Sequence, residues 1–167
     1  MEVEEIMSYQ RILVPLDGSK FSELALQHVA QIAASGARIH VLSVIADNPV
    51  DEVAALASAR AYSVPSPEKQ WPQVKETDLH DPNARETYVR RVSDWLGGAG
   101  YQVTAETVPG NVVETILSVA QRGFDAIVLA THGRTGANKM VLGSVAETLI
   151  HEAVCPVLVI PPGAAPK

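Results

Sequence analysis

The chain has 167 residues, 47% of them hydrophobic and 19% charged, with a net charge of −6; this is the length of one domain with enough apolar material to build a core. The negative charge argues against a dedicated nucleic-acid binder, which would show a basic face. No apolar run approaches the ~18 residues of a membrane span, the acidic opening MEVEEIMSYQ has no secretory leader pattern, and the single Cys155 allows no internal disulfide; a soluble, cytoplasmic protein is expected.

RILVPLD (Arg11–Asp17) is a nearly continuous apolar run ending in an acid, the pattern of a strand buried on both faces. Pro15 removes a ladder donor, so the strand should finish about there. From Ser19 onward, Phe21, Leu24, Ala25, His28, Val29, Ile32 and Ala33 keep a helical rhythm, with Ser19 a candidate N-cap and Gly36 a candidate stop. RIHVLSVI (Arg38–Ile45) reads as the second strand. The stretch 46–82 carries prolines at 65, 67, 72 and 82, so it reads as an irregular excursion. NARETYVRRVSDWLGGAG then reads as a long helix with Tyr88, Val92, Trp95 and Leu96 turned to the core.

YQVTAETV (Tyr101–Val108) alternates as a third strand. NVVETILSVAQRG is a helix with Asn111 as N-cap, Glu114 three residues on, and Gly123 closing it. DAIVLA is a fourth strand, and Ser144 with Glu147 reads as a capping box opening a helix to about Ala153. PVLVI (Pro156–Ile160) is the fifth strand. Strands alternating with helices predict an α/β fold: one doubly wound, Rossmann-like domain with a five-stranded parallel sheet, helices on both faces, and strand order 3-2-1-4-5. In that order the winding reverses between strands one and four, and a ligand crevice is expected at their carboxyl ends.

The fourth strand leads into a connection about a dozen residues long, well beyond the roughly 2–6 of ordinary strand-to-helix links. Glycines at 133, 136 and 143 would permit φ > 0 and close backbone approach, which a phosphate-cradling loop needs. Gly143-Ser144 then starts a helix whose free N–H groups and dipole favour an anion. Arg134 and Lys139 could add positive charge. A ligand-free helix start with solvated cations accounts for the same residues, and neither G-x-x-x-x-G-K-[ST] nor G-x-G-x-x-G occurs.

ATHGRTGANKMVLGSVAETLIHEAVCPVLVI resembles the C-terminal signature of the universal stress protein family, and ILVPLDGS resembles that family's first strand. The family's nucleotide motif is G-x2-G-x9-G-[ST]; Gly133, nine intervening residues and Gly143-Ser144 match it, and Ala130 stands where the first glycine would be. The resemblance implies a domain over residues 8–162, interrupted by 46–82, between flexible tails 1–7 and 163–167. It also implies that Pro15 and Asp17 lie beside adenosine, with Val44 flanking the adenine and Leu129 and Ala130 lining the same pocket. Gly133, Arg134, Gly143, Ser144 and Val145 would surround the phosphates of ATP, with Mg²⁺ or Mn²⁺ bridging them. A homodimer through Pro156–Ile160 is implied too, and that strand is an edge in the expected order.

Catalytic residues are not expected. Asp17 is the acid nearest the crevice, and it could equally cap the next helix through the Gly18-Ser19 turn. His132 reads better as a loop hydrogen-bonder than as a base, Cys155 as a packed thiol, and His80-Asp81 lacks a second ligand pair for a metal. Trp71 could cover the pocket or anchor the excursion. A nucleotide-responsive stress regulator with at most slow ATP hydrolysis is expected; the alternatives are an adenine-nucleotide hydrolase and a scaffold of the same fold that no longer binds nucleotide.

Overall fold

A computed structural model describes residues 8–19, 21–47, 81–131, 134–136 and 139–161, with residues 134–136 and 139–141 described by backbone alone. The elements run β1 (Tyr9–Pro15), α1 (Leu24–Ile32), β2 (Ala33–Ala46), α2 (Pro82–Gly98), β3 (Gln102–Gly110), α3 (Val112–Ala120), β4 (Ala126–Ala130), β5 (Arg134–Gly136), β6 (Lys139–Val141), α4 (Ser144–Glu152) and β7 (Val157–Ile160). The main sheet has five parallel strands in the order β3-β2-β1-β4-β7. This is the expected 3-2-1-4-5 arrangement, with β7 as the fifth strand.

Both faces of the sheet are covered. Ile12, Val14, Ile39, Val41 and Val128 pack against Leu24, Ala25 and Val29 of α1 and Tyr88, Val92 and Leu96 of α2. Leu13, Leu42, Ile127 and Leu129 pack on the other side against Ile116, Val119 and Ala120 of α3 and Ala146 and Leu149 of α4. The apolar runs of β1 and β4 are continuous because alternate residues serve opposite layers.

Several expected boundaries are corrected. α1 begins at Leu24 rather than just after Ser19, because residues 21–26 first make tight turns: the N–H groups of Leu24, Ala25 and Leu26 bond carbonyls three residues back. Ser19 still receives the Ser22 N–H on its Oγ at 3.1 Å, so its capping chemistry serves that turn. α1 ends at Ile32, before Gly36, and the chain extends at once. Gly36, at φ +70, instead takes the left-handed kink where the β1–β2 register slips from Tyr9↔Ala33 to Arg11↔Arg38.

The third and fourth boundaries concern α2 and α4. Pro82 belongs to α2 rather than to the excursion, occupying the first turn, where a missing N–H costs nothing; the Asp81 carboxylate caps that turn by accepting the Asn83 N–H at 2.9 Å. Asn111 caps α3 as expected, accepting the Glu114 N–H at 3.1 Å. Ser144 does not cap α4. Gly143 is the N-cap, Ser144 is the first helical residue, and no side-chain cap bond closes the helix start. The long connection after β4 also contains an antiparallel β5–β6 hairpin, pairing Arg134 with Val141 and Gly136 with Lys139, where coil was expected. The segment 48–80, Gly133, His132, Trp71, His80 and the tails lie outside the described residues, as do the Arg134 and Lys139 side chains.

Candidate functional site

The winding of the sheet reverses between β1 and β4, so their carboxyl ends border the crevice expected of such a sheet. Ile12 pairs with Ala126 and Leu13 with Ile127; two residues further along, Pro15 and Leu129 come to the same level. Asp17 follows on one side, and Ala130 and Thr131 follow on the other. On β2, Leu42 pairs with Pro15, which places Val44 just beyond the end of β1. Of the residues named from the sequence, Pro15, Asp17, Leu129 and Ala130 thus gather at this edge, with Val44 on the neighbouring strand.

A contact that the sequence reading missed joins the start of α4 to this edge. Thr131, 3% exposed, accepts the Gly143 N–H on its Oγ1 at 2.9 Å. The bond holds Gly143 extended at φ −67, ψ 152, so a left-handed glycine is not what this position needs. Glycine is needed for room: a Cβ there would lie 3.1 Å from the Thr131 Oγ1. Gly143, Ser144 and Val145 are thereby pinned beside the end of β4. Ser144 is exposed, and its hydroxyl is not committed to capping its own helix. The first-turn N–H groups and the positive end of the α4 dipole have no side-chain cap among the described residues, although the exposed Glu147 in the same turn offsets part of that field.

Asp17 has both of the roles weighed for it within reach. Its Oδ1 accepts the Ser19 N–H at 2.8 Å across the Gly18 turn, which fixes the carboxylate at the lip of β1. Behind it lies a buried polar group that the sequence reading passed over: Glu23 (3% exposed), Arg85 (1%) and Tyr88 (2%), with Arg85 Nη1 donating to Ser43 Oγ at 2.8 Å. The helical spacing of Arg85, Tyr88, Val92 and Leu96 put a cation on the apolar face of α2, and that was the available signal. Burial first, then the charges of Glu23 and Asp17, push the Tyr88 phenol well above its ordinary range.

Other candidates recede. Cys155 is half-buried, and burial followed by the Asp125 charge raises its thiol, the setting of an unreactive cysteine. Asp81 is a helix cap. Among the described residues, no three His, Cys, Asp or Glu side chains gather to hold a metal. A cleft of ≈ 590 Å³ lies between α2 and the β2–β3 edge, lined by Ile45, Pro82, Val89, Ser93 and Thr107 among others, and includes none of the crevice residues. Among the described residues no helix is long and apolar enough to cross a membrane.

The sequence model of the universal stress protein family matches residues 8–161. The universal stress protein MJ0577 of Methanocaldococcus jannaschii is 29% identical over 156 residues, covering 91% of this chain and 94% of the relative. Universal stress protein A homolog 1 of Coxiella burnetii is also 29% identical, covering 92% and 97%. The solved structure of MJ0577 superposes with a TM-score of 0.66 at 26% identity, covering 94% of this chain and 99% of that one. A universal stress protein solved in complex with cAMP shares the fold, with a TM-score of 0.59 at 20% identity and coverage of 93% and 99%.

Proposed function

The chain belongs to the universal stress protein family, and on that premise we propose that it is a cytoplasmic ATP-binding regulator whose nucleotide state alters its contacts as a homodimer. The observation that carries this reading is the convergence at one crevice of the β1 end, the β4 end and an α4 start whose exposed Ser144 caps nothing. In it, adenosine lies against Pro15, Asp17, Val44, Leu129 and Ala130. The Asp17 carboxylate accepts from the ribose or from the adenine edge. Phosphates lie along Gly133, Arg134, Gly143, Ser144 and Val145, where backbone N–H groups, the Ser144 hydroxyl and the helix dipole favour negative charge.

A divalent cation, Mg²⁺ or Mn²⁺, would be held by phosphate oxygens and the Ser144 hydroxyl, since the described residues supply no carboxylate cage. When bound it supplies charge neutralisation between phosphate groups. Asp17 contributes one acid already engaged in a turn, so we propose turnover well below the ~1 s⁻¹ of ordinary enzymes.

The test is direct. Freshly purified protein is heated, and the released small molecules are separated by chromatography. ATP is expected in the supernatant, together with a rise in melting temperature when ATP and Mg²⁺ are added to stripped protein. Ser144→Glu, by repulsion, and Gly143→Val, by filling the space against Thr131, are expected to abolish binding. Wild-type affinity in both variants moves the pocket elsewhere, absence of any nucleotide effect leaves a scaffold, and fast turnover makes the protein a hydrolase. Because a structural relative was solved with cAMP, the same titration is run with cAMP; tighter binding of cAMP than of ATP would replace the triphosphate in this reading.

A further inference from the structure

Behind the crevice lies a positive charge that the proposed nucleotide contacts do not use. Arg85 is 1% exposed, although Arg90 and Arg91 of the same helix are exposed. Taking a guanidinium out of water is costly, and an apolar side chain of similar length often serves a core as well or better. Such a charge is offset only where it has partners. One is Ser43 Oγ, which accepts from Arg85 Nη1 at 2.8 Å. Ser43 is neutral, so the balancing negative charge comes from elsewhere.

The acids between β1 and α1 supply it. The charges of Glu23, Asp17 and Arg85 all reach the phenol oxygen of Tyr88, one helical turn beyond Arg85, the two acids acting in one direction and the arginine in the other. Tyr88 shares a side-chain hydrogen bond with Glu23. Ser19 joins the two acids, giving its N–H to Asp17 Oδ1 at 2.8 Å and its carbonyl to the Glu23 N–H at 3.4 Å. Two carboxylates gathered in one place resist being charged together, and a nearby cation relieves that. Strand register brings the anchor of Arg85 to the same level: Leu42 pairs with Pro15, and the Leu16 N–H bonds to the Leu42 carbonyl at 2.8 Å, so Ser43 stands beside the residues leading into Asp17. α2 packs on one face of the sheet and α4 on the other. The guanidinium therefore backs the half of the crevice assigned to the nucleoside, on the layer away from the helix start assigned to phosphate.

We propose that Arg85, held by Ser43, is a positioning residue for the nucleoside half of the crevice, its buried charge offsetting that of Glu23 so that Asp17 stays an ionised acceptor at the lip. This deepens the nucleotide-binding reading and rests on it. An ionised carboxylate accepts on both oxygens, whereas a protonated one turns part of that capacity into a donor. Loss of Arg85 therefore weakens the nucleoside contact and leaves intact the N–H groups at the start of α4, which serve phosphate. A side chain that only held the fold together would weaken both halves alike.

The experiment titrates wild type, Arg85→Met, Asp17→Asn, their double variant and Ser43→Ala by calorimetry, with ATP and Mg²⁺, with adenosine, and with inorganic tripolyphosphate and Mg²⁺. Arg85→Met is expected to bind ATP and adenosine about tenfold more weakly, the scale of one hydrogen bond to a charged group, and to bind tripolyphosphate as wild type does. The double variant is expected to bind adenosine no more weakly than the worse single variant, because both changes act through one carboxylate. Wild-type adenosine affinity in Arg85→Met, an equal loss for tripolyphosphate, or additive losses in the double variant would each overturn the inference while leaving nucleotide binding standing. Failure of wild type itself to bind ATP would instead overturn the binding reading and this inference together. If Arg85→Met does not fold, Ser43→Ala, which removes the anchor of the guanidinium, decides by the same comparison. A loss of about threefold for adenosine, the scale of one neutral hydrogen bond, with tripolyphosphate unchanged is expected there, and unchanged adenosine affinity overturns the inference.

Discussion

Two atoms set the start of α4, and both come from small residues. The Thr131 Oγ1 accepts the Gly143 N–H and would also lie in tight contact, 3.1 Å, with a Cβ on residue 143. Gly143→Ala should therefore cost about 1 kcal/mol from crowding alone, because the backbone there suits any residue. Thr131→Ala should cost a similar amount, about 1 kcal/mol, through the lost bond. With Thr131 shortened, adding the Gly143 methyl should cost close to nothing. Urea midpoints for the two single variants and the double variant check this coupling. Tyr88 supplies a second residue-level test. Its folded pKa is raised, so its contribution to stability is present below the unfolded value and is lost as pH rises above about 10. Wild type should lose more stability between pH 9 and 11 than Tyr88→Phe does, as read from urea midpoints at the two pH values.

At the scale of elements, the helix starts divide evenly: α2 and α3 are closed by their own side chains, and α1 and α4 are not. Asn111→Ala should cost about 1 kcal/mol, because it removes the acceptor of the Glu114 N–H. Ser144→Ala should change stability by less than about 0.5 kcal/mol, since no cap bond depends on it; in the proposed site it should nonetheless weaken ATP binding. Chemical denaturation and calorimetry on the same two variants separate the cases. The contrast also shows what could be read from the chain. Strands buried on both faces are legible because their apolar runs are unbroken, and the order 3-2-1-4-5 is the usual one for a doubly wound sheet of strands alternating with helices. Asn111 was legible because its partner is three residues away. Ser144 was misassigned because the group that fixes Gly143 is Thr131, twelve residues earlier at the end of β4. The early end of α1 was hidden because AASGA carries no periodic apolar signal, and β5 and β6, three residues each, are too short to show alternation. The crevice itself was legible from topology; the buried Arg85–Tyr88 group was overlooked because it was read as one more apolar stripe.

For the whole molecule, the open question is what meets the β7 edge. Among the described residues β7 pairs only with β4, which makes it an edge of the described sheet. The exposed large hydrophobic side chains of the described residues are Leu142, Ile150, Val154 (67% exposed) and Leu158, all within residues 142–158. An edge strand with apolar neighbours is a surface that pairs unless charge prevents it, and a second copy of the chain is the partner proposed here. Leu158→Lys places a charge on that edge without touching the core, so the dimer should dissociate while the monomer stays folded. Sedimentation should show the lower mass, and the dependence of melting temperature on protein concentration should vanish. A further consequence follows from α4, which packs against β7 and begins at the crevice. Its nine residues span about 13 Å, so one short helix joins the proposed phosphate contacts to the proposed interface. If ATP, bound once per protomer, strengthens dimerisation by some factor, dimerisation must strengthen the two ATP binding steps together by the same factor, and each site by its square root. Leu158→Lys should then weaken ATP binding at each site by the square root of the factor by which ATP tightens the wild-type dimer in sedimentation equilibrium. A monomeric variant with unaltered ATP affinity, beside a wild-type dimer that ATP does tighten, would break that equality and show that nucleotide and interface are coupled by some route other than this edge.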